Sequence, residues 1–213
     1  MSSFFTFEGV LETLVERQVI EAEDARRARE SQSAQRFDLA RTQGVAAGHR
    51  SLEAPGPAGL LASFGLTTLD GKKLTEDRIT EHLADQHGLP YVKIDPLKLD
   101  AQLITNTLSW PFARRHSMLV LSKSPNAIQI AIDDPGRMES IETVRSSLDR
   151  EIEVYLATSS DLRAQIREVY GFRASLKGAE ADLNEETDLG NLEQLVRLKS
   201  LEELETNDSH VVS

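Results

Sequence analysis

The 213-residue chain lacks cysteine, is poor in aromatic residues (5%), and contains no long apolar run. Without cysteine it forms no disulfide, uses no thiol nucleophile and builds no thiolate-ligated zinc site. No segment approaches the ~20 apolar residues that cross a bilayer, and the N-terminus lacks the basic region and apolar run of a secretory signal. These absences predict a cytoplasmic protein with no direct membrane insertion, peripheral to a membrane only through a partner.

The chain has little positive charge and no phosphate-binding loop. Its net charge of −11 makes nucleic acid an improbable partner, because phosphate contacts supply most of that affinity. A phosphate-binding loop needs a Gly-x-x-x-x-Gly-Lys-Ser/Thr spacing. The segment from Gly65 to Gly71 has one residue too many between its glycines, and Lys73 stands where the hydroxyl is needed. We interpret it as a turn and expect no enzyme activity and no cofactor.

One stretch predicts a helix that feeds directly into a strand. Thr75 can cap a helix in which Ile79 and Leu83 recur on one side. Gly88 tolerates the left-handed conformation that ends a helix, and Pro90 forbids its continuation. The alternating residues 91–94 then favour a half-buried strand.

The elements that follow can be predicted in order. Residues 99–108 and 110–116 indicate short helices, and residues 118–121 and 127–132 flank a hairpin turn. Asp134 and Pro135 suit the start of a helix, which is followed by a strand over 152–156 and a helix over about 161–170. The pattern predicts an α+β fold in which a small helical N-terminal element precedes a compact domain of three to four short strands with packed helices.

Several ordered motifs give this pattern a family resemblance. They are Gln86-His87-Gly88-Leu89-Pro90-Tyr91-Val92, Pro111-Phe112-Ala113-Arg114-Arg115, Ile130-Ala131-Ile132-Asp133-Asp134-Pro135 and Val169-Tyr170-Gly171. Over residues 63–171 the chain resembles the N-terminal domain of type II secretion and type IV pilus assembly ATPases. The alternative is an unrelated α+β domain with ordinary cap and turn residues.

The resemblance implies a non-catalytic docking and regulatory module. In that family the N-terminal domain precedes a hexameric ATPase core, and in secretion systems it binds the cytoplasmic part of an inner-membrane platform protein. We therefore expect a protein partner of this kind. The oligomeric state and the machine served remain open, as does the origin of the chain in a longer ATPase or a standalone relative.

Some family members bind cyclic di-GMP through two copies of a motif, and this implies an alternative function. Two degenerate copies can be placed on the chain, over 9–32 and 63–86. Residues that survive in them form a candidate nucleotide motif: Leu14, Gln32, Gly65, Leu69, Leu83 and Gln86. The motif arginines are lost, Gln18 and Lys72 replace the later glycine, and the surviving apolar residues also suit a core. The available substitutes for the arginines are Arg17, Arg26, Arg29 and Arg78.

Composition divides the chain into four segments. We predict a helical element over 4–32, a flexible linker or long loop over 33–62, the family-like domain over 63–171 and an acidic tail over 172–213. The tail has ten acidic and four basic residues and is expected to be largely disordered, with a possible leucine-rich helix over 189–205. That helix would dock on a partner or on its own core, or form only transiently.

Few residues suggest chemistry of their own. His82 and His87 are five apart, which does not match the helical spacing of metal ligands, so no metal site is predicted. We interpret Asp133 and Asp134 as structural rather than as a carboxylate pair. The basic run 114–116 either meets an acidic partner or solvates a helix end, and Trp110 suits a core or an interface equally well.

Overall fold

The computed structural model describes residues 5–47, 55–148 and 150–172. Its longer helices are α1 (Phe7–Glu16), α2 (Ala22–Glu30), α3 (Gln32–Ala47), α4 (Pro57–Ala62), α5 (Glu76–His87), α6 (Ala101–Thr107), α7 (Trp110–His116), α8 (Met138–Leu148) and α9, which begins at residue 159. The strands are β1 (Met118–Lys123), β2 (Ala127–Ile132) and β3 (Glu151–Leu156). The predicted α+β class, with three strands and packed helices, is confirmed.

The N-terminal helices form a small bundle. The hydroxyl of Thr6 caps α1 by accepting from the backbone N–H of Gly9 at 3.1 Å. The apolar face of α1, with Leu11 and Leu14 fully buried, packs against α2, α4 and α5. Burial of such a face, rather than helix propensity, stabilises short helices like these.

Two helices occupy the segment 33–62, where the sequence predicted a flexible linker or long loop. Helix α3 has no continuous apolar stripe, but it is rich in alanine, glutamine and arginine, which favour helix without help from periodicity. Helix α4 begins with Pro57, whose fixed backbone angle suits the first helical turn. Gly56 precedes it because a Cβ there would lie 2.5 Å from the Oγ of Ser159. Gly56 and Pro57 thus start a helix and permit close packing.

Helix α5 has the predicted ends. The hydroxyl of Thr75 accepts from the N–H of Arg78 at 3.3 Å, and Gly88 adopts the left-handed conformation with φ of +63°. The next residues add only an isolated parallel bridge between Tyr91 and Leu156 beside β3, not the predicted strand over 91–94. The chain therefore passes from α5 along the sheet edge.

The sheet has the order β1-β2-β3. Strands β1 and β2 form the predicted antiparallel hairpin, with Val120 opposite Ile130, while β2 and β3 are parallel and joined through α8. Helices α6 and α7 pack against β1, and α5 and α8 contact β3. The central strand is the most buried because its neighbours cover both of its edges.

Polar side chains cap the first turns of the helices around the sheet. The carboxylate of Asp100 accepts from two backbone N–H groups at the start of α6. Pro111 lies in the first turn of α7, as predicted. Asp134 caps the short helix Pro135–Arg137, which leads into α8, by accepting from the N–H of Gly136 at 2.7 Å. These local contacts fix the helix starts that the sequence indicated.

The described residues as far as Val169 form one compact unit. The predicted boundary between residues 62 and 63 falls between α4 and α5, which pack together. The tail over 172–213 and its possible helix over 189–205 lie, except for Phe172, outside the described residues. The division into four segments stays a prediction. Among the described residues, no helix is both long and apolar enough to span a bilayer.

A polar network joins α5, the segment after it and α9. The hydroxyl of Tyr91 donates to Oδ1 of Asp77 at 2.6 Å, and Nζ of Lys93 lies 2.8 Å from the same oxygen and 2.9 Å from Oδ2 of Asp161. Burial opposes ionisation of Asp77, but hydrogen bonds from Lys93 and Tyr91 outweigh it and lower its pKa. Burial, reinforced by the bond to Asp77, raises the pKa of Tyr91.

We predict that Tyr91→Phe lowers the free energy of unfolding at neutral pH by about 1–2 kcal/mol, because Asp77 loses a donor in a half-buried site. Asp77 has a lowered pKa in the folded chain, so its stabilising effect is present above its ordinary value of 3.8 and is lost as pH falls through the lowered value. The difference in the free energy of unfolding between the wild type and Tyr91→Phe should therefore shrink over that acidic range. Urea unfolding at several pH values measures it.

The control is Tyr155→Phe. The hydroxyl of Tyr155 accepts a hydrogen bond from the side-chain amide of Gln129, which also donates to Glu153. Removal of this hydroxyl should therefore lower the free energy of unfolding by less than Tyr91→Phe does. An equal decrease in the free energy of unfolding in both variants would contradict the role assigned to the Asp77 network.

Candidate functional site

A cleft of about 640 Å³ lies between the two helical motif copies. Its lining combines residues of the α1–α2 turn, the loop before α5 and α5 itself: Arg17, Gln18, Val19, Thr68, Leu69, Asp70, Lys72, Arg78, Glu81 and His82. Three of these residues are permanent cations and two are carboxylates. The cleft is therefore a locally cationic region in an acidic chain.

The α1–α2 turn forms the first wall. After the last turn of α1, the N–H of Val19 donates to the carbonyl of Leu14 at 2.8 Å, and Gln18 takes a left-handed conformation with φ of +56°. This conformation is unfavourable for residues with a Cβ. The turn ends α1 and places Arg17 and Gln18 in the cleft.

The loop before α5 forms the second wall. Its two arms pair through the bridge between Thr67 and Lys73, and Gly71 closes the turn with φ of +79°. The N–H of Leu69 donates to the carbonyl of Val19 at 2.9 Å. This backbone bond joins the two walls directly.

The two walls correspond to one another along the degenerate motif. Helices α2 and α5 begin at equivalent positions of the copies, Ala22 and Glu76. Gln18 and Lys72, which replace the later glycine of each copy, both line the cleft. The structure thus brings together the positions at which the two copies depart from the motif.

Carboxylates accompany the cations of the cleft. Nζ of Lys72 lies 2.8 Å from Oδ2 of Asp70, and the hydroxyl of Thr68 donates to Oδ1 of the same carboxylate. These hydrogen bonds, from Lys72 first and Thr68 second, lower the pKa of Asp70 to about 2, with a smaller contribution from the charge of Arg78. A guanidinium nitrogen of Arg17 lies 3.6 Å from Oδ2 of Asp85.

The structure separates the six residues of the candidate nucleotide motif. Leu14 and Leu83 are fully buried in the helical core, and Gly65 takes a left-handed turn. Leu69 alone of the six lines the cleft, and 55% of it is exposed. Gln32 begins α3 and Gln86 lies exposed in the last turn of α5, next to the Asp85 that pairs with Arg17.

Two of the four candidate arginines line the cleft, and the other two lie elsewhere. Arg17 and Arg78 line the cleft, whereas Arg26 pairs with Glu23 along α2 and Nε of Arg29 lies 2.6 Å from Oε2 of Glu8. Lys72, which the sequence indicated only as a lost glycine, supplies a third cation. Thr68 and Asp70 were not predicted as site residues, because only the Leu69–Val19 pairing brings their loop to the α1–α2 turn. Glu81 of α5 was not predicted either.

The histidines and the paired aspartates do not form a second site. His82 lines the cleft, and no group of three potential metal-ligating side chains occurs in the part of the chain that the structure describes. Asp133 is buried, where it accepts from the Oγ of Ser159 at 3.0 Å and the Nε of Arg137 at 3.0 Å. Asp134 caps a helix instead, so the two carboxylates serve different structural contacts.

Helix α7 presents a separate basic and aromatic surface, which we call the α7 face (Trp110, Arg114 and Arg115). Trp110 is 47% exposed, and the guanidinium carbon of Arg114 lies 5.5 Å from the centroid of its ring. Arg115 is exposed. Burial first, and then the charges of Arg115 and Arg137, lower the pKa of His116, so the positive charge of the face comes from its two arginines.

One protein-family model matches part of the chain. Residues 87–176 match the family model of the MshEN domain. Over these residues the chain is similar to the MshEN domain. This domain is the N-terminal domain of type II secretion and type IV pilus ATPases, which confirms the resemblance seen in the ordered motifs.

The chain is also similar to individual proteins. The chain is 29% identical over 136 residues to the type IV pilus assembly ATPase TfpB of Acinetobacter baylyi, and the match covers 63% of this chain but only 23% of TfpB. A structure of MshE with cdg is 24% identical with a TM-score of 0.46, covering 76% of this chain and 98% of that one. The N-terminal domain of XpsE is 18% identical with a TM-score of 0.40, covering 76% and 94%.

The MshEN match does not include the residues that line the cleft. The match begins at His87, directly after the second motif copy, so both copies lie outside it. The α7 face lies inside it. The match therefore covers the sheet and α7, while the cleft rests on its own geometry.

We predict that Gln18→Gly raises the free energy of unfolding by about 0.5–1 kcal/mol, because glycine adopts the left-handed conformation without the Cβ penalty. The matched control is Glu12→Gly at an exposed position inside α1, where glycine should cost about 1 kcal/mol. Thermal and urea unfolding measure both variants. Destabilisation by Gln18→Gly would show that the glutamine side chain contributes more than its backbone strain costs.

Proposed function

We propose that this chain is a non-catalytic regulatory module of a secretion or pilus assembly ATPase, which docks to the cytoplasmic part of an inner-membrane platform protein. The observation that carries the proposal is the MshEN match over residues 87–176, with the exposed α7 face inside it. The module acts in the cytoplasm and is peripheral to the inner membrane through its partner.

The α7 face suits a protein partner with an acidic surface. Tryptophan and arginine are the residues that most often dominate interface energetics. In a chain with a net charge of −11, an exposed pair of arginines beside Trp110 is a local exception that favours acidic segments. The stacking of Arg114 on the ring also orders both side chains before binding, which reduces the entropy lost on docking.

We predict that Trp110→Ala weakens binding of the platform protein's cytoplasmic domain by at least about 30-fold, as expected for a central aromatic anchor. Arg115→Glu should weaken it through the association rate, with strong dependence on salt. Surface plasmon resonance with the domain from the same secretion or pilus system measures both.

The charge control is Lys123→Glu at the exposed end of β1, which makes the same change outside the α7 face. Retention of native affinity by Trp110→Ala and Arg115→Glu would refute docking through α7. Absence of binding by the folded wild-type chain would refute docking to this partner.

A second candidate function is the binding of cyclic di-GMP in the cleft. The observation that favours it is the convergence of Arg17, Lys72 and Arg78 at the junction of the two motif copies. Arginine and lysine bind phosphate oxygens through charge-assisted hydrogen bonds, and arginine also stacks on planar rings. The exposed side chain of Leu69 adds an apolar surface for a base.

For this candidate, isothermal titration should show saturable binding of cyclic di-GMP and none of GTP. Arg78→Ala should weaken binding about tenfold or more, the cost of one charge-assisted hydrogen bond. Arg26→Ala is the control, because Arg26 pairs with Glu23 and does not line the cleft. Absence of heat with folded protein would refute the nucleotide candidate and leave docking unaffected.

A further inference from the structure

The cleft holds its cations in contacts with its own carboxylates. The shortest is the Lys72–Asp70 pair, at 2.8 Å between Nζ and Oδ2. The hydroxyl of Thr68 holds the other oxygen of Asp70 and also accepts from the N–H of Lys72 at 3.1 Å. One threonine therefore fixes both the carboxylate and the backbone of the lysine, so the pair is ordered before any ligand arrives.

The second pair joins Arg17 of the opposite wall to Asp85 of α5, which lies outside the lining of the cleft. The guanidinium of Arg17 is 3.6 Å from the carboxylate of Asp85, which is 65% exposed at the end of α5. The charge of Arg78 also acts on Asp70. Glu81 adds another carboxylate to the lining. Each cation that could bind a phosphate therefore interacts with a carboxylate of the chain.

A carboxylate and a phosphate compete for the same donors. Both are anions that accept from guanidinium and ammonium N–H groups, so a phosphate can bind Lys72 or Arg17 only by displacing or sharing the existing partner. An exposed ion pair is worth only up to about 1 kcal/mol, which a ligand can overcome at a cost of a few-fold in affinity for each pair.

We infer that Asp70 and Asp85 are intramolecular competitors that lower the affinity of the cleft for phosphate ligands and favour ligands with two phosphate groups. This inference rests on the second candidate function, the binding of cyclic di-GMP. The two pairs hold Lys72 on one wall and Arg17 on the other, so only a ligand that reaches both walls displaces both carboxylates. A mononucleotide displaces one carboxylate and leaves the other ion pair intact.

Because the pKa of Asp70 is about 2, this carboxylate stays ionised throughout the physiological range. Competition at Lys72 is therefore constant with pH in that range. Only a substitution of Asp70 or a bound ligand removes this competition. The Lys72–Asp70 pair is therefore not a pH switch.

The test is isothermal titration of cyclic di-GMP, with GMP in parallel, into the wild-type chain, Asp70→Asn, Asp85→Asn and the double variant. Asparagine keeps an oxygen that can accept from Thr68 but removes the competing charge. We expect cyclic di-GMP to bind about threefold more tightly to each single variant and about tenfold more tightly to the double variant. GMP should bind less tightly than cyclic di-GMP to every protein.

The matched control is Asp95→Asn. It makes the same change in net charge at an exposed aspartate that pairs with Lys98 at 3.7 Å, and Asp95 does not line the cleft. Equal gains in Asp95→Asn and the cleft variants would show a general charge effect and overturn the inference. If the wild-type chain binds and the cleft variants bind no more tightly, the inference fails while the nucleotide candidate stands.

Absence of binding by every folded variant would overturn both the inference and the nucleotide candidate. Thermal unfolding establishes folding for each protein. If Asp70→Asn does not fold, Asp85→Asn still tests the inference, because Asp85 is mostly exposed and anchors no loop among the described residues.

Discussion

The hydrogen bond from the N–H of Leu69 to the carbonyl of Val19 is the contact on which the geometry of the cleft depends. It joins two turns that lie far apart in sequence and face each other only after α1, α4 and α5 pack together. Backbone groups at such a junction need partners if water is excluded. By pairing, they fix the distance between the two walls and hence the shape of the cleft.

Charge is distributed differently over the two candidate binding regions. In the cleft, Lys72 and Arg17 interact with aspartates of the same chain, so little unbalanced charge remains for a ligand. On the α7 face, Arg114 stacks on Trp110, and Arg115 is exposed. The face therefore presents exposed positive charge beside a large aromatic side chain, which suits an acidic protein partner.

Local chemistry made much of the fold predictable. The Thr75 cap, the Gly88 stop and the hairpin around residues 124–126 follow from contacts among neighbours in sequence, so their patterns are readable without tertiary information. Helix α3 was missed because it forms from residues of high helix propensity that lack an apolar period. Helix α4 was missed because Gly56 and Pro57 were taken as loop residues, whereas they begin a helix packed closely on Ser159.

The candidate sites were predictable only in part. Arg17 and Arg78 were among the arginines considered, and the α7 face was visible as a basic run next to tryptophan. The role of Asp70 and Thr68 was not, because it depends on the turn that Gly71 closes and on its pairing with the distant α1–α2 turn. Leu14 and Leu83 illustrate the opposite case, in which motif positions that match a ligand-binding pattern serve the core.

The most direct test of the account uses the single tryptophan of the chain as a reporter. The isotope-labelled protein has one indole N–H signal, from Trp110, which an unlabelled platform cytoplasmic domain cannot obscure in a nitrogen-correlated NMR spectrum. The account predicts that this signal and the backbone amides of α7 shift or broaden when the domain is added. A spectrum that stays unchanged, or that changes only at other surfaces, would contradict docking through α7.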